Sequence, residues 1–534
     1  MKNFFFLAQG ISIKVVFSIF LSPFSLSAQP SIEWQRALGG SEAEQARCIQ
    51  QTTDLGYIVA GNSVSNNGDV IGNHGVNVFW VVNLSSAGFV QWQNALGGSN
   101  DDWAYSIQQV SDGGYIVAGY TKSNNGDVFG NHGDRDFWVV KLNSLGVLQW
   151  QKTLGGSGWD EAWSVQQTAD GGYIVAGRTT SLDGDVTENH GAFDFWVVKL
   201  DSVGVLQWQK SLGGSMVDIA YSVRQTADGG YIVTGESESN DGDALGLHGS
   251  LDYWVVKLSP NGELEWQKML GSTSLDRPND IYPTNDGGYI VVGIASWNDG
   301  DVTGNHGGYD YWVVKLNGLG EIEWQKSLGG SKEDYAQSVQ QTSDNGYIIA
   351  GSSPSTDGDL FSNHGGVDFW IVKLTNEGDL KWQKTFGGTQ ADRAISIQQS
   401  SDGGFIIAGL TQSNNGDVSG FHGVQDFWVV KLSPESVGFD DLPSNAPLAL
   451  FPNPAVQSIS LNIPVLSSVV SIETVDEPTL TVLITNLLGQ ELSHQTILKG
   501  QRVDVATLPN GIYLITATTT QGKVYSGKFM KQDQ

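Results

Sequence analysis

The sequence predicts an all-β protein, a seven-bladed β-propeller followed by a small Ig-like β-sandwich. Glycine supplies 68 of the 534 residues while only 16% are charged, a composition of many short strands joined by tight turns. A Trp-Gln pair recurs at Trp34, Trp92, Trp150, Trp208, Trp266, Trp324 and Trp382, always 58 residues apart and without insertion or deletion. A second series, Trp80, Trp138, Trp196, Trp254, Trp312, Trp370 and Trp428, keeps the same spacing, so seven copies of one unit are present.

From the N-terminus, Lys2 and Lys14 flank a short aromatic stretch. The apolar run "VVFSIFL" and then "SPFSLSAQP" follow, so residues 1–28 read as a secretory signal peptide with cleavage after Ala28. No later apolar run is long enough to span a bilayer, and the mature chain is expected outside the cytoplasm.

Residues 29–433 hold the repeats. Each copy carries four strand-like segments, here called a to d and exemplified by "WSVQQT", "GYIVAG", "FWVVKL" and "LQWQKTL". "ADGG" joins a to b as a tight hairpin turn, and "NSLG" does so between c and d; the b–c and d–a connections are longer and emerge on one face. Four-stranded units repeated seven times protect their sheet edges by radial packing around an axis. A linear solenoid would need distinct capping copies, and the end copies show no such difference. The array begins with a lone d segment, Ile32 to Leu38, and ends at c, Phe427 to Leu432, so the first strand is expected to complete the seventh blade. The tryptophan columns are expected in the core, each contributing up to roughly 4–6 kcal/mol before entropy.

The polar columns lie on the longer loops. One is Asp69, Asp127, Asp185, Asp243, Asp301, Asp359 and Asp417; another is His74, His132, His190, His248, His306, His364 and His422. Acids precede the second tryptophan from Asp136 to Asp426, with Val78 in the first copy, and open segment a from Glu44 to Asp392. Asn, Asp and Gly build Asx turns, and sevenfold repetition gives equivalent environments where catalysis needs unequal ones. The [ND]-G-D oxygens also make the seven aspartates from Asp69 to Asp417 candidate calcium ligands, without a full EF-hand loop. One His per loop is too few for zinc unless distant loops converge. Cys48, the one cysteine, stands in a column otherwise mostly serine and reads as a small packed side chain; no intramolecular disulfide is possible.

If shared columns make the fold, specificity belongs where copies differ. Arg277 alters a d–a loop; Arg224 and Tyr282 replace glutamines of segment a; Trp297 replaces a serine held by the other six copies. Trp103, Trp159 and Trp163 are extra to both tryptophan columns. These seven residues are the candidate binding residues, aromatics near the mouth of a ring being natural platforms for a sugar face.

The balance of 57 acidic against 28 basic residues, a formal charge of -29, would repel a phosphate backbone, which argues against a nucleic-acid partner. After a Pro, Ser and acidic linker over residues 434–447, a last domain spans 448–534 with segments "SISLNI", "LTVLITNLLGQEL", "RVDVATL", "GIYLITATT" and "KVYSGKFMK". It holds Phe451, Pro452, Asn453 and Pro454, then Leu488, Gly489 and Gln490. Leu508, Pro509, Asn510, Gly511, Ile512 and Tyr513 follow, and at the end Gly522, Lys523, Lys528, Phe529 and Lys531. In order and at the C-terminus, these residues resemble the type A C-terminal sorting domain of the type IX secretion system of Bacteroidetes, departing from it in a longer stretch from Leu466 to Thr479. The resemblance implies passage through the periplasm, handling by the type IX machinery, and release or display at the outer-membrane surface. The repeats also resemble those of secreted Bacteroidetes proteins, some of them called endoglucanases, although no paired catalytic carboxylates stand out here. Three readings follow: a secreted or surface-displayed protein binding a glycan or a surface protein, a polysaccharide-active glycoside hydrolase, and a structural adhesion component.

Overall fold

The computed structural model describes residues 29–435 except Phe361, and from the C-terminal region residues 449–451, 458–462, 479–486, 490–498, 501–519 and 524–532. The expected signal peptide, most of the linker, Pro452, Asn453, Pro454 and Gly489 lie outside the described residues. These residues are all β and turn, without a helix, and among them no helix is long and apolar enough to cross a membrane.

Gln29–Glu435 is one compact unit. Its strands form seven four-stranded antiparallel sheets; in the second copy these are Asp102–Gln109, Tyr115–Thr121, Asp136–Leu142 and Leu148–Leu154, the a to d segments in order. The first strand, Ile32–Leu38, pairs antiparallel with Asp426–Leu432, from Ile32 opposite Leu432 to Leu38 opposite Phe427. The seventh sheet is therefore built from both ends of the unit, and it packs on the first as every other sheet packs on its successor.

Burial follows from that order. Strands b and c are enclosed on both faces, and in the second copy all seven residues of "YIVAGYT" and of "DFWVVKL" are buried, which is why they read as unbroken apolar runs. The second tryptophan series is fully buried. Each of its indoles packs on the aromatic that precedes the tryptophan of the neighbouring sheet: Phe79 on Trp138 at 4.4 Å, and so round to Phe427 on Trp80 at 4.5 Å. Its Nε1–H donates to the glutamine after the other tryptophan, as from Trp138 to Gln151 at 2.8 Å. That bond is the reason for the Trp-Gln pair. The first series was expected in the core too, but only Trp382 is buried. The others are half-buried because strand d is the outer edge, where a tyrosine covers one side of the indole, as Tyr57 does for Trp34 at 5.6 Å.

Two smaller columns hold the hairpin turns. Lys141 of strand c is buried and ion-pairs at 2.8 Å with Asp112 of the a–b turn, a pairing repeated down to Lys431 and Asp402. The glycine ending "YIVAG" is required by packing, since a Cβ on Gly119 would collide with the carbonyl oxygen of Trp103 on the neighbouring strand.

The C-terminal unit has a four-stranded antiparallel sheet in the order Glu491–Leu498, Thr479–Thr485, Gly511–Thr519, Val524–Lys531. A three-stranded sheet joins Ala449–Phe451, Ser458–Asn462 and Val503–Asp504. Val503 shares one core with Val482, Ile515 and Phe529 of the larger sheet. The segment "LTVLITNLLGQEL", read as one strand, is the end of one strand and the start of the next. Asn486 and Gln490 bond to each other between the two strands, Gln490 N–H to Asn486 Oδ1 at 3.0 Å. Tyr513 donates its hydroxyl to the carbonyl of Pro509 at 2.7 Å, tying the "LPNGIY" turn to the strand that follows.

Candidate functional site

The repeated polar columns build the loops. Asp127 accepts Gly97 N–H on Oδ2 at 3.2 Å while its own N–H bonds Gly97 O at 2.9 Å, a reciprocal clamp between the b–c and d–a loops. Four of the seven aspartates also have the imidazole of the adjacent copy within about 4 Å, as His74 has Asp127 at 4.0 Å. Their carboxylates thus face N–H donors rather than further oxygens. Among the described residues no group of three or more His, Cys, Asp or Glu is placed to hold a metal ion.

The remaining acids are deeper. Asp102 is fully buried and accepts Gly98 N–H at 2.7 Å, Ser123 Oγ at 2.9 Å and Thr121 Oγ1. Asp136, also buried, accepts both the backbone N–H of His132 and its Nδ1 on Oδ2, each at 2.7 Å. Burial pushes this carboxyl up to about 6 despite the bonds from His132, and its Oδ1 has no hydrogen-bond partner. In the first copy, where Val78 replaces the acid, His74 instead bonds Gly72 O at 2.7 Å and Gly97 O at 3.0 Å, which raise its basicity.

The innermost strand departs from this regularity. In all seven sheets the a–b register slips at one place, between Ala104 and Ser106 in the second copy, and the bulged residue is left out of the pairing. Bulges re-aim side chains. Here they place Arg47, Tyr105, Trp163, Tyr221, Asn279, Gln337 and Ile395 around one axial cavity of about 150 Å³. No two neighbouring copies carry the same residue there. Further in, a cavity of about 220 Å³ is lined by Cys48, Arg224, Asp280 and Tyr282 with serines and glutamines of the other copies. At the outer rim, Arg47, Arg277, Arg393, Tyr335, Gln45 and Gln337 are among the residues around a cavity of about 510 Å³.

The seven candidate binding residues therefore separate. Trp163 and Arg277 line the mouth. Trp163 stacks on Tyr105 at 4.2 Å and meets Tyr221 edge-on at 5.2 Å. Trp103 lies beside the mouth, parallel to Tyr120 and under the guanidinium of Arg47 at 5.7 Å. Trp159 is held off the axis by Asp134, which accepts its Nε1–H at 2.7 Å, and is covered by Arg135 at 4.5 Å. Arg135 and Arg178 both grip the buried Glu161. Tyr282 lies deep in the channel.

Arg224 faces the channel but is spent internally. Its Nη2 ion-pairs with Asp280 Oδ1 at 3.0 Å. Asp280, in the serine column, is the residue that sequence reasoning missed; its carboxylate accepts Ser222 Oγ at 2.8 Å and Val339 N–H at 3.1 Å. That last bond is the serine's ordinary task, performed by Ser106 for Val165 N–H at 3.2 Å. The glutamine replaced by Arg224 normally accepts the N–H of the next copy, as Gln166 does from Gln225 at 2.6 Å. In the fifth copy that position is Pro283, which has no N–H. Arg224, Asp280 and Pro283 form one coupled exchange, and the signal for it was a single carboxylate in a hydroxyl column.

Trp297 shows a second exchange. The serine it replaces bonds a buried carboxylate elsewhere, as Ser123 does Asp102; in the fifth copy Ser272, where the other copies have glycine, supplies the hydroxyl to Asp276 at 2.7 Å. Trp297 is freed to stand 60% exposed. It lines an open groove of about 800 Å³ with Asn298, Asn305, His306, Tyr309 and Glu333.

The architecture defines a class, an all-β chain of repeated four-stranded antiparallel sheets around an axial channel, joined to a separate C-terminal unit. Residues 449–532 match the family of secretion system C-terminal sorting domains. The chain accordingly carries a type IX sorting tail, which engages that secretion machinery and directs export to the cell surface or beyond it. Over 285 residues the chain is 21% identical to the regulatory protein FlaEY of Caulobacter vibrioides, a match spanning 48% of this chain and 28% of that protein's length. Among solved structures, the WD40 domain of Neurospora crassa Pan2 is 10% identical with a TM-score of 0.41, over 74% of this chain and 95% of that one. The PQQ-bound aldose sugar dehydrogenase of Streptomyces coelicolor is 10% identical with a TM-score of 0.32, over 76% of this chain and 98% of that one.

Proposed function

We propose that residues 29–433 are a seven-bladed β-propeller, that the sorting tail is an Ig-like β-sandwich, and that the exported chain is a glycan-binding protein. The observation that carries the binding assignment is the convergence of variable positions. The bulged residue differs between every pair of neighbouring copies, and all seven of these residues surround one cavity at the loop-side mouth. Surfaces that differ between otherwise equivalent copies are not needed for the shared fold, and here three of the seven residues are aromatic and one is an arginine, residue types enriched in binding hot spots. Trp297 and Tyr309 extend the same face as an open aromatic groove. The test is a glycan array probed with the wild-type chain and with Trp163→Ala and Trp297→Ala. Selective binding weakened by both substitutions supports the reading. Binding to no glycan, with capture of a surface protein unaffected by either change, refutes it.

A further inference from the structure

Most of the arginines of the repeat unit gather at the mouth. Residues 29–435 contain seven arginines, and four of them, Arg47, Arg224, Arg277 and Arg393, lie on the innermost strands, which carry no lysine. Arg224 is neutralised by Asp280. Arg47, Arg277 and Arg393 make no direct ion pair among the described residues, the buried Glu236 acting on Arg277 only from a distance, although the whole chain carries a formal charge of -29. Arg47 donates Nη2 to the neutral Gln45 Oε1 at 2.7 Å. Its Nε, the Nε of Arg277 and the Nε1 of Trp163 are buried donors without an acceptor. A buried N–H lacking an acceptor is costly, so three beside one mouth favour a ligand rich in acceptors and negative in charge.

The site is also elongated. Tyr335, on the wall of the arginine cavity, packs on Tyr309 at 5.9 Å, and Tyr309 lines the groove of Trp297. A line of aromatic rings thus runs from the guanidinium groups out to an exposed indole, which suits consecutive sugar rings better than a single small anion.

Resting on the glycan-binding reading above, we propose that this mouth binds a uronic-acid polysaccharide. Arg47, Arg277 and Arg393 take a sugar carboxylate, and the adjoining residues of the polymer lie along Tyr335, Tyr309 and Trp297. The planar guanidinium fork matches a carboxylate in two parallel hydrogen bonds.

Titration calorimetry of the full chain with oligogalacturonate, with the same oligosaccharide after reduction of its carboxyl groups, with a sulfated glucan oligosaccharide and with poly-glutamate tests this. Expected is the tightest binding to oligogalacturonate, weakened about ten- to hundredfold by the pair Arg277→Gln and Arg393→Gln. The same pair leaves binding of the reduced oligosaccharide within about twofold, while Trp297→Ala weakens both. Equal affinity for the reduced form, insensitive to the arginine pair, overturns the acidic assignment and leaves the glycan reading standing. Preference for the sulfated glucan overturns the carboxylate, and preference for poly-glutamate overturns the saccharide. Failure of every saccharide to bind removes both readings together.

Discussion

The second tryptophan column and the bulged residues of strand a show how one repeat does two jobs. In the column the same residue stands in every copy, fully buried against the aromatic of its neighbour and bonded to the same glutamine. Two strands inward, Arg47, Tyr105, Trp163, Tyr221, Asn279, Gln337 and Ile395 share a backbone position and little else. Uniformity marks where copies must interlock, and divergence marks where a side chain answers to something other than the fold. Such a contrast can be broken by perturbing one region and reading the other.

The largest effect is expected from the closing strand. Removing residues 32–38 strips the edge of the seventh sheet, where Trp428 also loses its bond to Gln35 at 2.9 Å. A closed ring transmits that loss to both neighbours, so the melting temperature should fall by about 10 °C or more, read by calorimetry. An unchanged transition would show that the ring holds without its closure.

Next come buried groups. Trp254→Ala should cost about 3–5 kcal/mol in urea unfolding, since the cavity opens between two packed sheets. Asp280→Ala leaves the half-buried guanidinium of Arg224 without its carboxylate partner, at a cost of about 1–3 kcal/mol. The double variant Arg224→Gln with Asp280→Ser removes both charges, although Pro283 still offers the glutamine no N–H, and should recover most of that loss; a double variant as unstable as Asp280→Ala would show that the two residues are not coupled.

Much of the fold was legible because the period is strict: strand order, hairpin turns and the closing strand all follow from Trp, Gly and Asp at fixed spacing. The half-buried first tryptophan column was not, because periodicity does not tell an inner strand from an outer one. The site was legible in part. Trp163, Arg277 and Trp297 were visible as departures from the repeat, but departure alone cannot separate a side chain offered to solvent from one consumed inside, as Arg224 is. Asp280 escaped notice because a carboxylate doing a serine's work makes sense only once Val339 N–H and Arg224 are seen beside it.

Acidity sharpens the contrast between inner and outer carboxylates. Burial raises Asp136, Asp252, Asp310 and Asp368 to about 6 from an ordinary 3.8. A carboxyl that holds its proton more tightly when folded stabilises fully below about pH 4, and that contribution is lost as pH rises through about 6, roughly 3 kcal/mol for each. Asp170, Asp228 and Asp286 behave oppositely. Burial would raise them, but bonds from neighbouring hydroxyls, N–H groups and buried lysines prevail and bring them to about 2. Their contribution is present above about pH 4 and fades toward pH 2, and exposure keeps it small. Melting temperature should therefore fall between pH 4 and pH 6.5, and Asp252→Asn should flatten part of that slope; a rise over the same interval would contradict the buried column.

The smallest effect on stability is expected where the site reaches furthest into solvent. Trp254 and Trp297 are the same residue type in the two regions, one with no exposed surface and one 60% exposed. Replacing Trp297 by alanine opens no cavity, and the carboxylate that its serine counterparts serve keeps Ser272 as donor. Unfolding free energy should change by no more than about 0.5 kcal/mol. Glycan affinity should nonetheless drop about tenfold, because an indole at the end of the aromatic line contributes to binding and to little else. If stability fell as steeply as for Trp254→Ala, Trp297 would be part of the framework after all, and the division between uniform and divergent positions would fail at the residue that displays it most plainly.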